Sequence, residues 1–253
     1  MYNHFYMQNQ IKIVVLAAGK GKRIGSDIPK VLIPLHGRGL VEHILDTIKK
    51  YTDEKPILVV GHMADMVKAK LGDTCEYALQ AEQLGTGHAI ACAEGVAKDA
   101  EHILILQGDM PLITDTTIKN LINRHISTGA TITFATTKVP DFTDWYSAFN
   151  SFGRIEREGD QVFGIKEYKD ASEAERAITE VNAGSYVFRA NWLWENLKKI
   201  KNENAQKEYY LTDLFHIAFE EGEKIETVHI DPHEALGANT KEELEILEKL
   251  TSS

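Results

Sequence analysis

Cysteine is scarce in this 253-residue chain. Cys75 and Cys92 are the two, and they stand in neither a metal-binding nor a disulfide pattern. Two lone thiols suit a reducing cytoplasm, where they serve as small buried hydrophobes. Long apolar runs are missing too. None approaches the roughly 18 residues of a membrane span. Residues 1–10 lack the apolar core of a signal peptide and read as a short extension. Positive charge is in deficit, with 28 Lys and Arg against 38 Asp and Glu, a net charge of −10 that argues against a nucleic-acid surface. Two phosphate-binding signatures also fail. No GxxxxGK[ST] run exists, and after Gly19 and Gly21 the third glycine, Gly25, arrives one residue late for GxGxxG. These absences lead us to expect a cytoplasmic protein with no membrane or nucleic-acid partner.

The composition that remains, 43% apolar and 26% charged, can build a full core without staples. Residues 11–17, apart from Lys12, form an apolar, branched run followed by glycines, as in a buried parallel strand. Further strands are expected at 56–60, 76–79, 102–106, 130–137 and 181–188. Helical spacing covers 40–50, 63–71, 86–97, 113–127, 211–220 and 242–250. The last begins at Thr240 with Glu243 three residues on, a capping box. Residues 154–158 and 161–166, joined around Gly159, read as a hairpin. Alternating strands and helices predict a Rossmann-like α/β fold, a mostly parallel mixed sheet covered on both faces. We expect one domain over 11–253, with a lid or sugar-facing insertion at about 138–180.

Local charge departs from the global balance. Between Gly19 and Arg38, Lys20, Lys22, Arg23, Lys30 and Arg38 face a single acid, Asp27, for a local +4 that can dock an anion. The first motif in this region is Leu16-Ala17-Ala18-Gly19-Lys20-Gly21-Lys22-Arg23, with Pro29-Lys30 downstream. Its glycines let backbone N–H groups turn toward phosphate, and its alanines leave room for a base or ribose. The second is Gln107-Gly108-Asp109-Met110-Pro111-Leu112. It places a carboxylate at a strand end, where open α/β sheets bind ligands and where Mg²⁺ finds oxygen donors. Between them, Gln80 to Ala89 sets two glycines around Thr86 at a helix start, with Gln80 able to pair with a base edge. Each segment alone also fits an ordinary turn or cap. His229 and His233 are separated by Pro232 and read as loop residues, not a metal pair.

Together these blocks resemble the sugar-1-phosphate nucleotidyltransferase family, most closely the uridylyltransferase domain of bacterial N-acetylglucosamine-1-phosphate uridylyltransferases. The resemblance runs from Ile11 to about Leu250. It continues through Gly153-Arg154-Ile155, Glu167-Tyr168-Lys169-Asp170, Val181-Asn182-Ala183-Gly184, Glu208-Tyr209-Tyr210-Leu211-Thr212-Asp213 and Gly237-Ala238-Asn239-Thr240.

The resemblance implies a nucleotidyl transfer from UTP to N-acetylglucosamine 1-phosphate, with Mg²⁺ as cofactor and without the acetyltransferase domain of bifunctional members. By position it implies that Leu16, Ala17, Gly19, Gln80, Gly85 and Thr86 hold the nucleoside, and that Arg23 and Lys30 act on the triphosphate. Asp109 and Asn239 would bind Mg²⁺, with Asp109, Arg23 and Lys30 forming the catalytic set. Gly153, Glu167 and Asn182 would hold the sugar. Several residues depart from the family pattern: Lys22, Gln107, Phe152, Ala183 and the aromatic-rich stretch 140–151. Several of these lie near the sugar blocks. The same fold with glucose 1-phosphate or another nucleoside triphosphate therefore remains an alternative, as does a catalytically silent nucleotide-sugar sensor.

Overall fold

The structure, a computed structural model, describes residues 10–21 and 24–252. Nine strands of the described chain form one sheet. In chain order these are β1 (Ile11–Ala17), β4 (Ile57–Val60), β5 (Glu76–Leu79), β6 (His102–Gln107), β7 (Ile132–Lys138), β8 (Arg154–Glu158), β9 (Gln161–Lys166), β10 (Glu180–Arg189) and β11 (Ile225–His229). A two-residue pair, β2 (Pro34–Leu35) and β3 (Arg38–Gly39), stands apart. The main order is β11-β7-β10-β6-β1-β4-β5, with the β8–β9 hairpin paired onto β10. β1 runs parallel to β4 and β6, and β7 parallel to β11, while β10 lies antiparallel between β6 and β7. This is the mixed α/β sheet expected from the alternation of elements.

The helices are α1 (Leu40–Tyr51), α2 (Ala64–Leu71), α3 (Thr86–Ala91), α4 (Glu94–Ala97), α5 (Asp115–Thr128), α6 (Glu173–Arg176), α7 (Ala190–Leu197), α8 (Leu214–Glu220) and α9 (Lys241–Thr251). Strand alternation splits the core in two. Ile13, Val15, Leu104 and Leu106 pack against Leu40, Ile44 and Ile48 of α1 and Leu121 of α5. Val14, Ile103 and Ile105 point the other way, to Ile90, Leu193, Leu214 and Phe215. Both faces of β1 are largely buried, so its sequence is apolar apart from Lys12, which pairs with Glu54 at the strand's start, rather than alternating.

Several expectations are corrected. The helix read over 86–97 is two short pieces, because the chain turns at Cys92 and Ala93 to bury Ala93 and Ala97. The helix read over 211–220 begins as a 3₁₀ turn, Leu211–Asp213. Neither histidine is a loop residue: His229 ends strand β11, and His233 lies in a 3₁₀ turn, Pro232–Ala235, where it stacks on Trp145 with ring centroids 4.7 Å apart. The capping box of α9 is shifted. Thr240 accepts from Glu243 N, but the Glu243 carboxylate takes the N–H of Asn239, one residue ahead of the cap, at 2.5 Å.

The order of strand addition reverses at β1, which has β4 on one side and β6 on the other, all three parallel. The carboxyl ends of β1 and β6 thus flank a crevice, the place where open sheets take ligands. At the other end of β6 lies a buried polar chain. His102 Nδ1 is 3.1 Å from His125 Nε2, and His125 Nδ1 is 3.0 Å from the Thr133 hydroxyl. Burial pushes the fully enclosed His125 imidazole down to about 3, and the neighbouring His102 and Arg189 push the same way.

From about pH 6.5 down to about 3, the unfolded chain therefore takes up a proton that the folded chain refuses. Folding stability falls with pH across that window by up to about 1.4 kcal/mol per unit from this residue. Urea unfolding at a series of pH values should give a shallower acid slope for His125→Gln than for the parent. Equal slopes would show that His125 is not buried neutral.

Candidate functional site

A cleft of about 510 Å³ opens at the switch point. Its floor is Leu16, Ala17, Ala18 and Gly19 from the end of β1, and its walls carry Gln80, Gly85 and Thr86 on one side and Gln107, Asp109 and Asn239 on the other. All six residues expected to hold a nucleoside thus line one space. Lys20 and Lys30 line it too. Arg23 and Lys22 lie outside the described residues. Arg38 does not contribute to this cleft. It pairs with Asp46 of α1 at 2.6 Å and faces a separate groove, so the local +4 of the sequence is not one surface.

Asp109 and Asn239, 130 positions apart, meet over one ammonium group. Lys30 Nζ donates to Asp109 Oδ2 and, at 2.6 Å, to Asn239 Oδ1. The backbone brings them together. Ala238 N donates to the Asp109 carbonyl at 3.2 Å, and Glu243 holds the Asn239 N–H. Lys30 opens a 3₁₀ turn behind Pro29, whose fixed φ carries the chain into the cleft. A carboxylate oxygen and an amide oxygen turned onto one cation form a hard donor pair. That donor chemistry fits a small divalent ion whose other positions go to phosphate and water.

The loop holding Gln80 is tightly organised. Both hydrogens of Gln80 Nε2 are engaged, with Gly85 O at 3.1 Å and His88 Nδ1 at 3.1 Å. A bidentate pairing of Gln80 with a base edge would need that amide to turn. Gly85 and Thr86 are locked to the segment 208–211. Tyr209 N donates to Leu84 O and Gly87 N to Tyr209 O, both at 2.8 Å, and Leu211 N donates to the Thr86 hydroxyl at 3.0 Å.

Gly85 has φ +115°, and a Cβ there would stand 2.5 Å from the Tyr209 carbonyl oxygen and 2.7 Å from its nitrogen. Both contacts are with backbone, which cannot swing aside. Gly85→Ala should therefore displace the 208–211 segment and lower Tm by at least about 5 °C, the shift expected for roughly 2 kcal/mol in a chain of this size. Differential scanning calorimetry reads this directly. An unchanged Tm would show that the approach is not tight.

The three residues expected at the sugar also converge. Asn182 N donates to Gly153 O at 2.9 Å, and a Cβ on Gly153 would lie 3.6 Å from Glu167 Oε1 and 3.7 Å from Asn182 Cβ. Glu167 Oε1 accepts from the Thr212 hydroxyl at 2.8 Å. Burial pushes the Glu167 carboxyl above its usual range. Thr212 opposes this, while Asp213, Asp170 and Glu208 add to it. Burial likewise raises Asp213 to about 6, with Asp170 adding to the effect and His216 and Lys166 opposing it. Thr212 was not singled out from the sequence, although the Glu208 to Asp213 block contained it.

The aromatic stretch 140–151 does not line the cleft. Phe149 is fully buried and Trp145 packs on His233. The stretch is gathered by Arg154, whose guanidinium donates to the carbonyls of Phe149, Asn150, Phe152 and Arg176.

Comparison with known proteins follows the same lines as the geometry. Residues 13–207 match the model of the MobA-like NTP transferase domain. The chain belongs to that family. It is a nucleotidyltransferase, and the cleft at the β1/β6 switch point is its candidate active site.

Among curated relatives, the bifunctional protein GlmU of Brevibacillus brevis is 44% identical over 239 residues, covering 93% of this chain and 50% of that protein. The bifunctional protein GlmU of Desulfotalea psychrophila is 38% identical over 241 residues, covering 94% of this chain and 69% of that protein. The chain thus spans about half the length of the first of these. In fold it matches a putative glucose-1-phosphate thymidylyltransferase from Bacillus anthracis, with TM-score 0.75 and 18% identity over 95% of this chain and 94% of that one. Among the described residues no helix is long and apolar enough to cross a membrane.

Proposed function

We propose that this nucleotidyltransferase joins UTP to N-acetylglucosamine 1-phosphate, giving UDP-N-acetylglucosamine and pyrophosphate. The observation that carries the reading is the meeting of Lys30, Asp109 and Asn239 at the wall of the cleft, beside the glycine-rich end of β1. The nucleoside would lie over Leu16, Ala17 and Gly19, flanked by Gln80, Gly85 and Thr86, with its phosphates running toward Lys30.

Asp109 and Asn239 would hold Mg²⁺, which on binding would neutralise phosphate charge. An oxygen of the sugar phosphate forms a bond to the α-phosphorus, and the bond from that phosphorus to the bridging oxygen of the β-phosphate breaks. The electron pair leaves with pyrophosphate. The attacking oxygen is already ionised near neutral pH, so no residue need act as a base. The work of the chain is alignment and charge stabilisation, with Lys30 able to exchange its contacts on Asp109 and Asn239 for contacts on phosphate.

The acceptor reading rests on Gly153, Glu167 and Asn182. A carboxylate can accept from sugar hydroxyls, and an amide can donate and accept with an acetamido group. Burying those groups against a sugar that lacks the acetamido leaves hydrogen bonds unmade. The expected result is a kcat/KM for N-acetylglucosamine 1-phosphate at least about tenfold above that for glucose 1-phosphate, roughly 1.4 kcal/mol of discrimination. Pyrophosphate release measured with both acceptors decides it. Equal rates, or a preference for glucose 1-phosphate, would overturn the acceptor while leaving nucleotidyl transfer in place.

A further inference from the structure

Strand β10 carries a bulge. Its pairing with β7 runs in register through Asn182, breaks, and resumes at Tyr186. Gly184 sits in the break with φ +70°, a conformation that glycine adopts without strain. The bulge folds the Asn182 side chain back on itself. Asn182 Oδ1 accepts from Gly184 N at 3.1 Å, and Asn182 Nδ2 donates to the Tyr186 hydroxyl at 2.6 Å. These two bonds fix which end of the amide faces which way. They use one of its two hydrogens and one acceptor position, leaving one of each for a ligand.

The far side of Gly184 is held from another strand. Gln107, the last residue of β6, donates from Nε2 to Gly184 O at 2.9 Å. Its stem and the Met110 side chain close on the glycine, since a Cβ at Gly184 would lie 3.0 Å from Gln107 Cγ and 3.0 Å from Met110 Cε. Gln107 also lines the nucleotide cleft, two residues before Asp109 and opposite Leu16 in the β1–β6 register. A single primary amide therefore joins the wall of the cleft to the bulge that orients Asn182.

We propose that Gln107 is a positioning residue that sets acceptor specificity. By clamping the Gly184 carbonyl, it holds in place the residue whose N–H orients the Asn182 amide toward the acetamido group of the sugar. This rests on the acceptor reading above. Gln107 itself need touch no substrate. Its effect passes through Gly184 to Asn182, so its loss should be felt by the acceptor and not by the nucleotide.

The test is steady-state kinetics on Gln107→Met, which keeps the length and loses the donor, and on Gln107→Leu, which also loses the donor and adds no charge to the wall of the cleft. Both should raise KM for N-acetylglucosamine 1-phosphate at least tenfold and leave KM for UTP within twofold. The preference for the N-acetylated acceptor over glucose 1-phosphate should shrink to threefold or less. A role in stability alone would not divide the two substrates in this way.

Unchanged acceptor KM and unchanged preference in either folded variant would overturn the proposal. So would an equal rise in both KM values. A parent chain that uses glucose 1-phosphate as well as the N-acetyl sugar would instead strike the acceptor reading, and this assignment with it. Failure in the variants alone would strike only Gln107.

Discussion

Asp109→Ala should lower turnover by about a hundredfold or more, equivalent to roughly 2.7 kcal/mol of transition-state stabilisation, while thermal unfolding stays near that of the parent. The carboxylate lies at a strand end and is 18% exposed, so its removal opens no core cavity. What it takes away is one of two oxygen donors around the Lys30 ammonium. Lys30→Ala should behave differently from a simple binding mutant. Its ammonium stands at the wall of the cleft, able to follow charge onto the phosphates, so kcat should fall more than KM for the nucleotide rises. Stopped-time assays of pyrophosphate across nucleotide concentrations separate these cases. Near-parental turnover in Asp109→Ala would remove Asp109 from the reaction altogether.

The second large effect concerns Arg154, a fully buried cation. Burial pushes its guanidinium below the usual arginine range, which Tyr168 partly offsets. What holds it is a ring of carbonyls, those of Phe149, Asn150, Phe152 and Arg176, with its Cζ 4.4 Å from the centre of the Phe142 ring and 5.3 Å from that of Tyr168. Arg154→Met should leave these acceptors without partners and cost about 3 kcal/mol or more. In a chain of this length that is a Tm lower by about 6–12 °C. Arg154→Lys should recover little, because one ammonium cannot span the fork that a guanidinium presents. Chemical denaturation of both variants checks this, and parental stability in Arg154→Lys would contradict it. Because Gly153 adjoins this ring, acceptor use should weaken along with stability.

The interior of the sheet was readable because its physics is local. The run 11–17 could be little else than a strand buried on both faces, and β1 is that strand. Asp109 after an apolar run, and Asn239 before the Thr240 cap, announced two chain ends able to face a ligand. Three elements were harder to read. The edge strand β11 is half-exposed throughout, and its pairing along β7 comes from tertiary contact rather than from a period of two. Helix α7 carries Trp192, Leu193, Trp194 and Leu197, all buried, and its exposed face holds just Asn191 and Glu195, too short a stretch for the helical period to stand out. The break at Cys92 and Ala93 overrides an alanine-rich stretch with good helix propensity.

The site divides in the same way. Residues that touch through backbone, such as Gly85 against Tyr209, leave a glycine as a trace. Thr212 beside Glu167 leaves none, since a threonine before an aspartate has many ordinary uses. Gln107 was visible only as a departure from the family pattern. What it does in the fold is a hydrogen bond across two strands whose order the sequence does not state.

The most direct test is to incubate the chain with UTP, N-acetylglucosamine 1-phosphate and MgCl₂ and to follow the reaction by phosphorus NMR. The account predicts that UTP signals disappear as pyrophosphate and a sugar-linked diphosphate appear in equal amounts. Unchanged UTP, or its cleavage to UMP and pyrophosphate with no sugar-linked diphosphate, would contradict it.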